Sequence, residues 1–167
     1  MTCLQCGGEM KSKKENYHYA ASGLPDVTLM GVEVRRCAEC GESEVAIPNI
    51  EGLHKALALS VARQPGRLAP AEIKFLRKYL GLSSVDFAKH IGVTPETVSR
   101  WESGVVKMGS TAERLLRWFI ATREPVSDYP LDMFTALAEA KPRPARRGLV
   151  LSGSHWHEST RFASAHA

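Results

Sequence analysis

Residues 87–104 read FAKHIGVTPETVSRWESG, and this stretch decides the fold of the central part of the chain. Apolar residues recur at helical spacing up to Ile91. Gly92 then supplies the left-handed backbone that a sharp turn between two helices requires. Thr94 and Pro95 follow as an N-cap hydroxyl and a proline at the first helical position. The stretch therefore predicts two helices joined by a tight turn.

The helix that begins at Pro95 has an apolar side and a polar side. Val98 and Trp101 lie three positions apart and anchor the helix inward, and Gly104 ends it. The side chains left facing outward are Glu96, Thr97, Ser99 and Arg100.

Further helices are predicted before and after this pair. The first begins at Pro70 or Ala71 and ends before Gly81, which acts as a left-handed cap. The last opens with a capping box from Ser110 to Glu113. Its predicted buried residues are Leu115, Leu116, Phe119 and Ile120. The helix that ends at Ile91 is predicted to start after an N-cap at Ser83, with Asp86 as its capping-box partner. Residues 68–124 thus read as an all-α domain.

All four cysteines of the chain lie in two CxxCG pairs, Cys3 with Cys6 and Cys37 with Cys40. A CxxC step places two sulfurs on one side of a turn, and the following glycine allows the positive φ that such a knuckle needs. Four thiolates suit the tetrahedral preference of Zn²⁺ and close its coordination shell. We therefore predict one structural Zn²⁺ per chain, with no open position for chemistry.

Two other interpretations of the same four cysteines are a pair of disulfides and a redox-active CxxC site. A pair of disulfides fits poorly, because the chain opens with Met-Thr-Cys, shows no apolar signal stretch and is expected to stay in the reducing cytoplasm. A thioredoxin-like redox CxxC normally opens a helix after a strand, whereas glycine and polar residues follow these pairs. Zinc is the preferred interpretation.

The segment between the cysteine pairs predicts β-structure. Residues 27–36 alternate apolar and polar side chains on either side of Gly31, which reads as strand, turn, strand. Tyr17 and Tyr19 show the same period of two. Residues 1–47 are therefore predicted to form a small, three-stranded zinc-ribbon-like α+β domain, whose folding free energy comes largely from the metal.

Composition and charge limit the classes of function that are compatible with the chain. The chain of 167 residues is 44% hydrophobic and 24% charged, as in ordinary globular proteins. No apolar run approaches membrane-spanning length, so no membrane partner is expected. Residues 1–67 carry eight basic and eight acidic side chains, whereas residues 68–124 carry nine against six. The basic excess suits a polyanionic partner for the helical part. No set of side chains suggests a catalytic site, and we expect no enzymatic activity.

Two segments lie outside these domains. Residues 48–67 predict a short helix followed by a linker, because Pro65-Gly66 breaks regular structure. Residues 125–167 form an extended C-terminal tail, in which residues 149–151 read as a strand. His155 and His157 flank a tryptophan, but two histidines with no third ligand nearby are more simply surface residues.

The stretch LRKYLGLS (residues 76–83), together with residues 87–104, resembles the phage-repressor-like XRE helix-turn-helix domain. With the cysteine pairs added, residues 1–124 resemble the MqsA family, or YgiT-type zinc-finger antitoxins. The resemblance implies a five-helix-type DNA-binding domain that dimerises on a palindromic operator and a zinc domain that binds a ribonuclease toxin. Ser84 departs from the family pattern, because relatives usually carry a glutamine there that bonds phosphate.

The way such a domain docks on DNA predicts which of its residues contact bases and which contact phosphates. The recognition helix enters the major groove N-terminus first, which puts Pro95, Glu96, Thr97 and Arg100 nearest the bases, with Ser99 on the same polar face. Arg100 is the preferred base reader, because its fork matches guanine O6 and N7. Glu96 either accepts from a cytosine amine or caps its own helix. The phosphate candidates are Ser83, Ser84, Thr94, Thr97 and Lys107.

The resemblance also implies a partly buried salt bridge between Arg77 and Glu102, with a structural role. Together, these expectations describe a sequence-specific repressor, the antitoxin of a type II toxin–antitoxin pair. The alternatives are a stand-alone zinc-containing XRE regulator and a regulator that senses oxidants or metals through its CxxC pairs.

Overall fold

The computed structural model describes residues 2–122 and 146–159, which divide into two compact units. The sheet unit consists of residues 2–20, 26–53 and 146–159. The helical unit consists of residues 21–25 and 54–122. Of the predicted C-terminal tail, only residues 146–159 belong to the described chain.

The sheet unit is built on one five-stranded sheet. Its strands are β1 (Met10–His18), β2 (Val27–Cys37), β3 (Ser43–Ala46), β4 (Arg147–Ser152) and β5 (His155–Glu158). The order is β1-β2-β4-β5, and β3 also pairs with β2. All pairs are antiparallel except β2 with β4, which is parallel. The central strand is therefore β2, and its inward side chains form the core of the unit.

The expectation of two strands on either side of Gly31 is wrong, because β2 runs through this position without a turn. Gly31 has φ +65° and forms a bulge, and its amide donates to the side chain of Asn16 at 3.2 Å. A bulge inserts one extra residue into a strand, so the alternation of buried and exposed side chains changes phase at Gly31. The buried side chains are accordingly Val27 and Leu29 before the bulge and Val32 and Val34 after it.

The strand expected at residues 149–151 is confirmed as part of β4. It pairs in parallel with the start of β2, where Leu149 lies opposite Leu29. The β4–β5 hairpin is attached further by Trp156, whose indole N–H donates to the carbonyl of Pro48 at 3.0 Å. Asn49 donates to the carbonyl of Ser154 at 2.7 Å and accepts from the amide of Gly52 at 3.0 Å. The C-terminal hairpin thus completes the N-terminal sheet.

The helical unit contains α1 from His54 onward, with the whole helix spanning Ile50–Arg63. The next helices are α2 (Pro70–Tyr79), α3 (Ser84–Ile91), α4 (Pro95–Glu102) and α5 (Ser110–Thr122). The predicted left-handed glycines are confirmed, with φ +74° at Gly81 and +75° at Gly92. The side chains that are fully buried in its core include Leu57, Leu76, Phe87, Val98, Leu116 and Ile120. Both predicted fold classes, strand-rich with the cysteines and all-α after them, are confirmed.

Within the two described stretches, no helix combines the length and apolar character needed to cross a membrane.

Candidate metal centre and nucleic-acid interface

The two cysteine knuckles have the same backbone hydrogen bonds. In the first, the amide of Cys3 donates to the carbonyl of Gly8 at 2.8 Å and the amide of Gly7 donates to the carbonyl of Cys3 at 2.9 Å. In the second, Cys37 and Gly41 make the equivalent bonds at 2.9 and 3.2 Å. The glycine that follows each pair has the expected positive φ, +76° at Gly7 and +75° at Gly41. Short sequence repeats have therefore produced two copies of one local structure.

The β1–β2 register brings the two knuckles together. Met10, which begins β1, lies opposite Cys37, which ends β2. Cys3, Met10 and Cys37 form a buried apolar cluster. In each knuckle the first cysteine is buried and the second, Cys6 or Cys40, is exposed. The cluster is thus covered on the sheet side and open to solvent on the knuckle side.

The sulfur geometry fits a tetrahedral metal ion. All four sulfurs lie within 4.8 Å of one another. The distances Cys3 Sγ to Cys40 Sγ and Cys6 Sγ to Cys37 Sγ are 3.6 and 3.4 Å. A tetrahedral Zn²⁺ with Zn–S bonds of about 2.3 Å separates its sulfurs by about 3.8 Å. A disulfide needs about 2.05 Å, and the four thiols are free. These four cysteines can hold a metal ion without rearrangement of the fold.

The electrostatics of the cluster also favour a cation. The backbone amides of Cys40 and Glu39 lower the pKa of Cys37 to about 7, which favours its thiolate. The pKa of Cys6 is raised to about 12, because the lowering effect of the Gly8 amide is outweighed by the neighbouring Cys40 and Cys37 sulfurs. Four thiolates at these distances repel one another, and a bound cation removes that repulsion.

Elsewhere in residues 2–122 and 146–159, no group of three or more His, Cys, Asp or Glu side chains converges as a metal site. His155 and His157 are exposed on β5, while Trp156 between them is buried. This is the arrangement of a packing tryptophan with surface histidines.

The expected caps of α3 and α4 are present. Ser83 Oγ accepts from the amide of Asp86 at 3.0 Å and donates to its carboxylate at 2.5 Å. The hydrogen bond from the Ser83 hydroxyl holds the pKa of Asp86 below its ordinary value. Thr94 Oγ1 accepts from the amide of Thr97 at 3.3 Å, and Pro95 is the first residue of α4. The turn between the helices is closed by Gly92, whose amide donates to the carbonyl of Ala88 at 2.9 Å.

The polar face of α4 lies where the sequence predicts it. Val98 and Trp101 are buried, whereas Glu96, Ser99 and Arg100 are exposed and Thr97 is half-buried. The backbone amide of Glu96 and then the hydroxyl of Thr94 lower the pKa of its carboxyl group. Glu96 is therefore engaged at the start of its own helix, which is the capping role weighed above.

The remaining predicted phosphate contacts lie at helix starts and in the loop after α4. Ser84 is the first residue of α3 and is half-buried. Lys107 is exposed in the loop of residues 103–109. In the described chain, neither Lys107 nor Arg100 has a side-chain hydrogen bond or salt bridge. Arg67, Arg77 and Arg117 of the same unit each pair with a carboxylate.

Arg77 and Glu102 form the salt bridge that the resemblance implies. The Nε and Nη2 atoms of Arg77 donate to the two carboxylate oxygens of Glu102 at 2.5 and 3.1 Å. Nη1 of Arg77 donates to the carbonyl of Leu82 at 2.7 Å. Both side chains are close to buried, at 8% and 11% exposure. The pair joins α2 to the last residue of α4.

We expect Glu102→Ala to lower the free energy of unfolding of the helical unit by about 2 kcal/mol, because a charge-assisted hydrogen bond is lost beside a nearly buried cation. Urea unfolding followed by circular dichroism measures this change. Glu96→Ala is the matched control, since Glu96 is exposed on the same helix. Equal stability of the two variants would contradict the structural role of Glu102.

The expectation of a capping box from Ser110 to Glu113 is wrong. The carboxylate of Glu113 accepts instead from Arg67 at 2.5 Å, from the amide of Leu68 at 3.0 Å and from Arg117 at 3.0 Å. A carboxylate that is 1% exposed between two guanidinium groups is stabilised there more strongly than at an exposed helix start.

Arg117 extends this network into the segment predicted as a linker. Its guanidinium donates to the carbonyls of Ala62, Gln64 and Gly66 at 2.7, 2.8 and 2.5 Å. Gln64 in turn donates to Glu72 at 2.6 Å. Residues 62–68 are therefore bonded to the helical unit along their length. The sequence signal that could have indicated this network is the spacing of Glu113 and Arg117, which lie four positions apart on the buried side of α5.

Comparison with known families agrees with this geometry. Residues 73–124 match a family model described as helix-turn-helix. No curated protein matches the chain. The chain thus has an XRE-type helix-turn-helix domain, matched over residues 73–124, which supports a DNA-binding regulator, and its sheet unit holds a four-cysteine cluster able to bind a metal ion.

Proposed function

We propose that the protein is a sequence-specific transcriptional repressor without enzymatic activity, and the antitoxin of a type II toxin–antitoxin pair of the MqsA/YgiT type. Its helical unit reads a palindromic operator and represses its own operon. Its sheet unit, held by one structural Zn²⁺, binds the toxin. The observation that supports DNA reading best is the guanidinium of Arg100, which is exposed on the polar face of α4, whereas Arg77 of α2 is fixed in a salt bridge with Glu102.

Arg100→Ala tests this reading. We expect the variant to lose about 1 to 3 kcal/mol of binding free energy on the cognate operator and to lose preference at one base pair per half-site. Lys107→Ala is the matched control, because a phosphate contact contributes equally to every sequence. It should weaken binding to all duplexes alike and reduce the salt slope by about one unit. Fluorescence anisotropy on selected and random duplexes measures both. An unchanged ratio for Arg100→Ala would refute the assignment of α4.

The proposed operator complex is a two-fold dimer, because one helix-turn-helix unit covers one half-site. The candidates for the dimer contact on α5 are Trp118, Phe119 and Ile120, but Ile120 is fully buried and cannot contribute. Trp118 is 49% exposed. Phe119 is half-buried and lines a groove of about 320 Å³ together with Leu80, Leu82, His90 and Thr122. We expect Trp118→Glu to give monomers in light scattering and to abolish two-fold footprints.

The toxin part of the proposal is supported by the separation of the cysteine cluster from the DNA-reading residues, which lie in a different compact unit. If a toxin is encoded next to this gene, its expression alone should arrest growth, and coexpression of this protein should restore growth. Cys37→Ser should lose the rescue, whereas Arg100→Ala should keep it. A stand-alone regulator gives no rescue with either variant or with the wild type, and a redox sensor loses operator binding when mild oxidant releases its zinc.

A further inference from the structure

A cation outside the matched helix-turn-helix residues contacts the loop that follows α4. Arg67 lies before α2, and its Nε donates to Glu113 at 2.5 Å. Its Nη2 donates to the backbone carbonyl of Met108. Met108 is 3% exposed and directly follows Lys107, which is exposed. Arg67 therefore holds the backbone of this loop from the buried side, one residue away from a predicted phosphate contact.

The same loop is attached to α4 at its other end. The amide of Val106 donates to the carbonyl of Arg100 at 3.2 Å, and the amide of Gly104 donates to the carbonyl of Trp101 at 3.2 Å. Residues 103–106 thus fold back over the last turn of the recognition helix. Lys107 lies between this attachment and the one made by Arg67, so the position of its backbone depends on both.

The side chain of Arg67 is itself fixed by a buried acceptor. Glu113 is 1% exposed and also accepts from Arg117 and from the amide of Leu68. A guanidinium presents several N–H groups in one plane, so Arg67 bonds Glu113 and Met108 at the same time. A lysine at this position has a single ammonium on a flexible stem and cannot reproduce both bonds in this geometry.

We propose that Arg67 is a positioning residue for DNA binding: it fixes residues 103–109 so that Lys107 meets a phosphate, and it does not touch DNA itself. This inference rests on the proposed DNA-reading function. It makes the affinity for DNA depend on a residue that precedes the matched domain, in the segment that joins α1 to α2.

A double-mutant cycle in the full-length chain tests the proposal. The affinity of Arg67→Met, Lys107→Ala and the double variant for the selected operator is measured from low to high salt, which gives the salt slope of each. One phosphate contact contributes about 0.9 to the salt slope, and its loss weakens binding about fivefold near 0.15 M salt. We expect each single variant to lose about one unit of slope and the double variant to lose no more than either. A salt slope that Arg67→Met leaves unchanged, or losses that add in the double variant, would overturn the proposal.

Arg67→Lys keeps the test decisive if Arg67→Met does not fold. It retains a cation beside Glu113 but loses the bond to Met108, so we expect a reduced slope with wild-type melting temperature. A wild-type slope in Arg67→Lys would overturn the proposal as well. Failure of the wild-type protein to prefer any operator over random DNA would instead refute the proposed function, which distinguishes the two failures.

Discussion

Replacing Cys37 by serine is expected to unfold the sheet unit and leave the helical unit folded. Cys37 ends the central strand β2, is 4% exposed and packs with Met10 and Cys3. Structural zinc sites contribute about 10–16 kcal/mol of apparent binding free energy, which exceeds the stability that a unit of this size gains from burial. The helical unit has its own apolar core and contains none of the four cysteines.

Amide chemical-shift dispersion measures this effect residue by residue, and removal of the metal by a chelator should reproduce it. Lys13→Ser is the matched control, because Lys13 is exposed on β1 and its replacement leaves the four sulfurs intact. We expect one Zn²⁺ per chain in protein purified without chelators. Protein that carries iron or no metal, or a Cys37→Ser variant whose sheet signals stay dispersed, would contradict the assignment.

The second large effect is expected for Arg117→Met, which should lower the free energy of unfolding of the helical unit by about 3 to 5 kcal/mol. The guanidinium is completely buried, and its removal leaves the carbonyls of Ala62, Gln64 and Gly66 without this donor. Among the residues that the structure describes, Glu113 would keep Arg67 as its one cationic partner. Methionine fills much of the volume but supplies no donors.

Denaturant unfolding monitored by circular dichroism at 222 nm, where helices dominate, measures this loss. Lys74→Met is the matched control, because Lys74 is exposed on α2 and a surface substitution of this kind changes stability by about 0.5 kcal/mol or less. If Arg117→Met and Lys74→Met had the same unfolding midpoint, the network would not hold residues 62–68 to the helical unit.

The parts of this structure that the sequence predicted are those determined by a few neighbouring residues. A hydroxyl at Ser83 or Thr94 followed by a helical pattern specifies a cap locally, and Gly92 specifies the turn between α3 and α4. The CxxCG repeats specify the knuckles in the same way. Their convergence could also be predicted, because two knuckles with two thiols each match the four ligands of one tetrahedral metal ion.

The parts that the sequence did not predict depend on partners far along the chain. Leu149 reads as a strand residue, but nothing near it indicates that it pairs with Leu29. Gly31 interrupts an alternation, and a bulge and a turn give the same local pattern. Glu113 sits where a capping box is expected, and only the positions of Arg67 and Arg117 in space explain why its carboxylate turns inward.

The most direct test of the central claim, that α4 reads DNA, is the change in amide chemical shifts of the full-length, zinc-loaded protein when its selected duplex is added. We predict the largest changes at residues 94–100 and at Lys107, with the four cysteines nearly unchanged. Random duplex at low salt should shift Lys107 but not Arg100, because phosphates are common to both duplexes and the read base is not. Shifts that are confined to the sheet unit, with residues 94–100 unaffected by the selected duplex, would contradict the account.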